Sequence, residues 1–371
     1  MADLRSDAGA SSATISGPTP VRAADADVDT RLPSMWSATT VPRVVTLIVL
    51  LAAALFLVPA VLSSFWLQIA LTTVVYSAVT LGLGILVGRA GMVSLAQIPV
   101  VAAGVWIALR LQQQWSLPFP ILLVVTGLLT GCVGTFIGFP ALRLRGLYLA
   151  LITLMGAGAI TLLLGVYKFP NGGGGFWGFD KGVPSGTTVL ERPSIAEGNT
   201  AYYRYCVVVV AVLFLIVTWH IRGKPGRAWA AIRQSEVTAV AAGINTTRFK
   251  LWCFFLSAVV SGVAGALLAA APGGVTVTQF PVQGSIILLA VVLMGGVYSI
   301  WGAVIAAFLQ RAFPQLLDQK LGIPPEFLIM LFGVGVMQVL VMAPAGIAGD
   351  LEKVGRLIKR KLSRRSTTVA P

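Results

Sequence analysis

Long apolar runs alternate with short polar breaks along most of this chain. About 20 apolar residues in a helix span the hydrocarbon core of a bilayer. The pattern predicts such helices over 44–63, 65–87, 91–111, 119–139, 146–166, 201–221, 250–271 and 326–345. The run from Gly284 to Leu317 is too long for one ordinary span, and Gly295-Gly296-Val297-Tyr298-Ser299-Ile300-Trp301-Gly302 interrupts it. It is expected to fold as a hairpin whose first arm, 284–297, is short at about 1.5 Å per residue; a re-entrant pair satisfies the same parity. The predicted fold class is all-α, a polytopic integral membrane protein with about ten crossings.

Three polar stretches interrupt this pattern informatively. The first, Gly223 to Asn245, predicts a helix over 226–243 lying outside the membrane. Pro225 and Gly226 break the preceding span, and Gly243 is placed to end the helix. Trp229, Ile232, Glu236 and Val240 share one face at i, i+3, i+7 and i+11, on a helix with no core of its own. Two readings stay open. One is an interfacial helix with an Arg233–Glu236 pair contributing roughly 0.2–0.5 kcal/mol. The other is a helix that fits a cleft on a partner protein.

The second stretch runs from Leu81 to Gln97, where Gly82, Gly84, Gly88 and Gly91 interrupt two apolar runs around Arg89. Small residues permit close helix packing in a bilayer. The alternative is a broken helix lining a substrate path, with Gly84, Gly88, Gly91, Ser94 and Gln97 beside it and Thr153 as a weaker candidate. The third is the loop 168–200. Its four consecutive glycines are followed by no Gly-Lys-Ser/Thr, and the chain carries no nucleotide-binding loop. Phe176, Trp177 and Phe179 there read as an aromatic belt, or as a docking surface for a solute-binding protein.

Composition points the same way. Of 371 residues, 57% are hydrophobic and 11% charged, which excludes an ordinary soluble domain. The net charge of +14 does not gather on one soluble face, so nucleic acid is not the expected partner. The cations lie between the apolar runs instead. With both termini cytoplasmic, only Arg110, Lys168, Lys181, Arg192, Arg204, Arg311 and Lys320 of the 27 fall outside. Acidic residues avoid the spans, which argues against a buried proton relay. Cys132, Cys206 and Cys253 sit in apolar stretches, and His220 ends a span. No spacing among them suggests a metal, and no cofactor is expected.

Residues 1–40 read as a disordered tail without a secretory signal, 41–350 as the transmembrane domain and 351–371 as a basic cytoplasmic tail.

Five motifs along the chain resemble one family. Gly226-Arg-Ala-x-x-Ala-Ile-Arg-x-x-Glu236 is followed by Ala239-x-Ala-x-Gly-Ile-Asn245 and Lys250-Leu-x-x-Phe-x-x-Ser-Ala258. Leu81 to Gln97 resembles a Gly-rich family segment, departing at Gly84 (for Asn), Ala96 (for Gly) and Gln97 (for His). Pro140-Ala-Leu-Arg-Leu-Arg-Gly146 is a close match, with Arg143 and Arg145 anchoring a tight turn. The hairpin near Gly295 departs at Met294, Tyr298 and Ala303, and Pro344 to Gly349 matches the family's exit into a basic tail. Over 65–352 the chain resembles the second permease subunit of bacterial branched-chain amino-acid ABC transporters.

The resemblance implies a non-enzymatic subunit of an importer working by alternating access, in the cytoplasmic membrane. It implies a second permease, cytoplasmic ATP-binding subunits and an extracytoplasmic solute-binding protein as partners. It assigns Gly226, Arg227, Trp229, Ile232, Arg233, Glu236 and Gly243 to coupling with the ATPase. Urea or short amides are alternative substrates within the family. A secondary transporter or channel acting alone is the alternative from another class.

Overall fold

The structure is a computed structural model that describes residues 40–142, 144, 146–166, 190–272, 275, 279–322, 327, 330–331, 333–335, 337–338 and 346–351. The N-terminal tail, Arg143 and Arg145, the glycine run with Phe176, Trp177 and Phe179, most of 326–345 and the basic tail lie outside the described residues. The chain divides into Met1–Leu50 and Leu51–Pro371. The first unit contributes the described start of α1 (Thr40–Val61), and the elements that carry the site belong to the second.

Every regular element named here is helical, as the apolar pattern predicts. After α1 come α2 (Ser64–Gly84), α3 (Gln97–Trp115), α4 (Phe119–Ala141), α5 (Leu147–Val166) and α6 (Asn199–Arg222). Two short helices follow, α7 (Lys224–Gln234) and α8 (Glu236–Ala241), then α9 (Thr246–Ala269) and α10 (Gly284–Gly295). The last are α11 (Ile300–Ala307) and α12 (Phe313–Leu321), joined by a π turn at Phe308–Ala312. Among the described residues, six helical stretches are long and apolar enough to cross a membrane: Ser64–Arg89, Phe119–Pro140, Tyr148–Val166, Asn199–Arg222, Thr246–Ala269 and Ile300–Lys320.

Small residues decide how these helices pack. On α4, Gly127, Gly131, Gly134 and Gly138 repeat at helical spacing, and a Cβ on any of them would press on Val263, Phe255, Ala258 or Phe254 of α9. A Cβ on Gly265 would meet the α3 backbone at Val101 and Gly104, one on Gly104 would meet the Gly262 backbone, and one on Gly262 would meet Thr130 of α4. Without a hydrophobic drive between spans, such close backbone approach supplies the contact energy.

Three expectations need correction. The helix expected over 91–111 begins only at Gln97, because Gly91 adopts φ +70°, and it runs on to Trp115 before left-handed Ser116. The single helix expected over 226–243 is two. Ser235 is extended there, and its Oγ accepts from the Thr238 amide to start α8. Arg110, inside the 91–111 run as expected, is buried in α3 and donates to Gln113 Oε1. Arg311, expected at an outer end, stands in the middle of the continuous Ile300–Lys320 helix.

The hairpin forms as predicted, turning through Gly296 at φ +107°. Gly302 and Gly346 both lie against the Gly296 backbone, leaving no room for a side chain. The first arm, α10, has 12 residues. At about 1.5 Å per residue it falls well short of a roughly 30 Å core.

Candidate functional site

The turn from α6 into α7 is tight because Gly226 sits against the Ile221 carbonyl, where a Cβ would collide. That turn folds α7 back onto the bundle. Trp229 is wholly buried (0% exposed), and its Nε1 donates to the Phe249 carbonyl at 2.8 Å. Ile232 is buried beside it. Glu236 pairs with Lys250 of α9 at 2.6 Å.

Trp229, Ile232 and Glu236 of the face expected to seek a partner cleft are therefore engaged within the chain, whereas Val240 is not. The partners, the Phe249 carbonyl and Lys250, lie in the first turns of α9, which begins at Thr246, ahead of the expected 250–271 helix. Gly243 ends α8 at φ +78°, as predicted. What α7 and α8 leave open is a different surface: Arg227, Arg233 and Gln234, then Val237 at 75% and Val240 at 57% exposure.

Arg233 leaves this surface toward the end of α2. Its Nη1 donates to the Gly88 carbonyl and its Nη2 to the Tyr298 hydroxyl, with the Tyr298 ring centre 4.5 Å from the guanidinium carbon. Arg89 Nη2 donates to the Tyr298 carbonyl at 3.2 Å. A Cβ on Gly88 would run into the Val297 backbone, and one on Gly91 would lie 3.1 Å from Arg233 Cγ. The short helix α7, the glycine-rich break and the hairpin turn, far apart in sequence, thus meet at one place. Tyr298, noted only as a departure from a motif, is the residue between them.

The break itself is real. After α2 the chain makes a π turn over Ile85–Arg89, in which the Ala90 amide bonds the Ile85 carbonyl and the Met92 amide bonds the Leu86 carbonyl. Residues 90–96 are not helical. Their backbone groups find side chains instead, as buried amides must. Thr153 Oγ1 accepts from the Leu95 amide at 3.0 Å, and in the first turn of α3 Ser285 Oγ accepts from the Ile98 amide at 3.2 Å. Gln97 Nε2 donates to the hydroxyls of Ser257 and Ser261 on α9.

On the substrate-path reading Ser94 or Gln97 faces water, with Thr153 the weaker candidate. All three are buried, and these bonds tie them to their neighbours in this conformation. Gly84 differs: nothing lies within 4 Å of its Cβ position. It lines a cavity of about 20 Å³ with Thr80, Arg89, Gly296 and Tyr298, room for roughly one water.

Residues 65–341 match the family described as branched-chain amino acid transport system / permease component. The chain is 29% identical over 316 residues to the high-affinity branched-chain amino acid transport system permease protein LivM of Escherichia coli (strain K12), covering 78% of this chain and 71% of that protein. It is 28% identical over 307 residues to the Salmonella typhimurium (strain LT2) protein of the same name, covering 76% and 69%. A probable branched-chain amino acid transport permease protein LivM of Methanocaldococcus jannaschii is 24% identical over 257 residues, covering 65% and 71%. No solved structure matches the chain significantly.

Proposed function

The chain belongs to the family of branched-chain amino acid transport permease components, and on that premise we propose that it is the membrane-spanning subunit of an ATP-driven importer of branched-chain amino acids. ATP hydrolysis resides on separate cytoplasmic subunits, a second homologous permease completes the membrane part, and an extracytoplasmic binding protein delivers the substrate. Both termini lie in the cytoplasm.

The observation that carries this reading is the α7–α8 element. It is anchored on the bundle by Trp229 and the Glu236–Lys250 pair, yet it presents the apolar Val237 and Val240 outward from a charged loop. An exposed apolar pair on a short anchored helix supports docking on another protein. Gly226, Trp229, Ile232 and Glu236 hold the element in place, Arg227, Val237 and Val240 meet the ATPase, and Arg233 passes the movement inward. The substrate route runs beside the break from Gly84 to Gln97. It opens when the bonds that close Ser94, Gln97 and Thr153 exchange partners.

The test is purification with the co-encoded subunits and reconstitution in liposomes. ATP-dependent uptake of L-leucine, requiring the binding protein, is expected. Uptake by the chain alone, driven by an ion gradient, would instead favour a secondary transporter.

A further inference from the structure

Four aromatic rings form a ladder on the surface where α6 ends and α9 begins. Trp219 and His220 meet edge to face with ring centres 5.1 Å apart, His220 lies 5.9 Å from Trp252, and Trp252 stacks on Phe255 at 5.3 Å. His220 Nδ1 donates to the Ile216 carbonyl, which can only accept, and this bond holds the ring in the ladder. The ladder joins two helices that are long and apolar enough to cross a membrane, so it marks one level at the same end of both. It is not core: Trp219 is 73% exposed and Trp252 41%.

Both helices follow one order through this level. Toward the middle of the spans come exposed Leu215 on α6 and half-buried Phe255 on α9; toward the helix ends come Arg222 and Arg248, both exposed. Trp219 and Arg222 are i and i+3, and Arg248 and Trp252 are i and i+4, so each pair shares a helix face. At about 1.5 Å per residue the arginines stand roughly 4.5 and 6 Å beyond the tryptophans. Apolar, aromatic, cationic is also the order that acyl chains, glycerol esters and phosphates impose across a leaflet.

Charge selects the kind of lipid. From Arg222 to Lys250 the chain carries six cations, Arg222, Lys224, Arg227, Arg233, Arg248 and Lys250, against one carboxylate, Glu236, which Lys250 engages. Among the described residues no carboxylate pairs with Arg222 or Arg248. A zwitterionic headgroup would bring its own cation into this field, and an anionic one brings none.

We propose that the Trp219–Trp252 ladder and the Arg222–Arg248 pair form a binding site for one anionic phospholipid of the phosphatidylglycerol type. Its phosphate lies between the two guanidiniums and takes charge-assisted bonds from them. The tryptophans flank its glycerol esters, and Leu215 and Phe255 meet its acyl chains. The occupant is a lipid because the surface runs on along α6 into exposed Leu215 and Val212, within the span. Val237 and Val240, which meet the ATPase, lie instead on α8. The site goes beyond the import reading and rests on it only for placing this leaflet on the cytoplasmic side.

The test uses the complete transporter, purified in detergent and stripped of lipid. It is titrated with phosphatidylglycerol or phosphatidylcholine of the same acyl chains, and bound lipid is counted by native mass spectrometry. Wild type should bind one phosphatidylglycerol at least about tenfold more tightly than phosphatidylcholine. Arg222→Gln with Arg248→Gln alters only exposed positions; it should keep the subunit composition and bring the two lipids within about twofold. Arg222→Lys with Arg248→Lys should keep part of the preference, because the charge remains without the fork. Trp219→Leu should weaken both lipids alike, and it decides if the glutamine variant does not accumulate; unchanged binding by Trp219→Leu overturns the site. Equal affinity of wild type for the two lipids overturns it as well. So does full preference in the glutamine variant, which would place the lipid elsewhere. Loss of the ATPase or the second permease from that variant would give the surface to a protein and overturn the site too. Competition by millimolar glycerophosphoglycerol, the headgroup without chains, would do the same by assigning the cations to a soluble phosphate ester. A transporter that carries no L-leucine with ATP fails the import reading and leaves the lipid measurement standing. One that transports without preferring phosphatidylglycerol fails the site alone.

Discussion

Arg233 donates to the carbonyl of Gly88 across 145 residues of sequence. That carbonyl is among the last of a helix that stops, where no following amide is placed to receive it. A cation at a helix C-terminus is also favoured by the helix dipole. Arg233 therefore caps the broken helix from outside, and Tyr298 receives the same guanidinium. If α7 moves with the ATPase, this joint is where the break feels it. Arg233→Gln should leave the complex assembled and lower L-leucine uptake per ATP hydrolysed by about fivefold or more, the effect of losing a bond worth roughly 1 kcal/mol or more. Arg233→Lys should fall between. Paired uptake and hydrolysis assays check this, and an unchanged ratio refutes it.

Trp229 and Val237 should separate anchoring from docking. Trp229→Ala empties a buried site and loses the bond to Phe249, at a cost of about 3–5 kcal/mol. It should lower the thermal midpoint and abundance of the chain itself. Val237→Glu paired with Val240→Glu alters only exposed positions. It should leave abundance normal and release the ATPase in a pull-down. A stable Trp229→Ala chain that sheds the ATPase would return the docking face to the tryptophan.

The glycines of the break are not equivalent. Gly88 has no space for a Cβ and Gly91 has φ +70°, whereas Gly84 faces open space. Gly88→Leu and Gly91→Leu should abolish most uptake, while Gly84→Ala should change it by less than about twofold, as expected for a site with neither clash nor strain. Uptake assays at matched abundance decide, and normal transport by Gly88→Leu would remove the break from the mechanism.

Glu236 and Lys250 should behave as a unit. They are 2.6 Å apart, with the lysine side chain 9% and the carboxylate residue's side chain 22% exposed. Removing one partner of a buried pair leaves a charge unsatisfied, a loss that partial exposure holds to about 1–3 kcal/mol. Glu236→Ala should therefore lower the thermal midpoint, and Glu236→Lys combined with Lys250→Glu should restore most of it. A double variant no better than Glu236→Ala would show that the pair contributes nothing specific.

Topology is expected to follow the distribution of cations. A reporter after Ser185 should lie outside the cell, and reporters after Ser235 and Ser363 should lie inside. Ser185 and Ser235 on one side would exclude the arrangement with about ten crossings.

The apolar runs were sufficient to read most helices, because a span must hide every backbone polar group and so writes its length into the sequence. The broken helix was legible from Gly88 and Gly91, and the hairpin from Gly295 and Gly296. Boundaries moved where capping competed with hydropathy: Asn245 Oδ1 accepts from the Arg248 amide and starts α9 before its apolar run begins. Ser235, beside Glu236, carried a similar signal inside the predicted 226–243 helix.

Sequence by itself determined that this is an all-helical membrane protein with a polar helical loop, a glycine break and a hairpin, since periodicity, length and charge act locally along the chain. Only the tertiary structure decided what meets what. Trp229 turned inward because Phe249 offered its indole an acceptor, and Arg233 turned to Gly88 because a helix end left a carbonyl unpaired. Arg311 moved from an outer end to the middle of a helix because α11 and α12 run on through a π turn. Each of these rests on partners distant in sequence or on a continuity of the backbone, and no local pattern of residues encodes either.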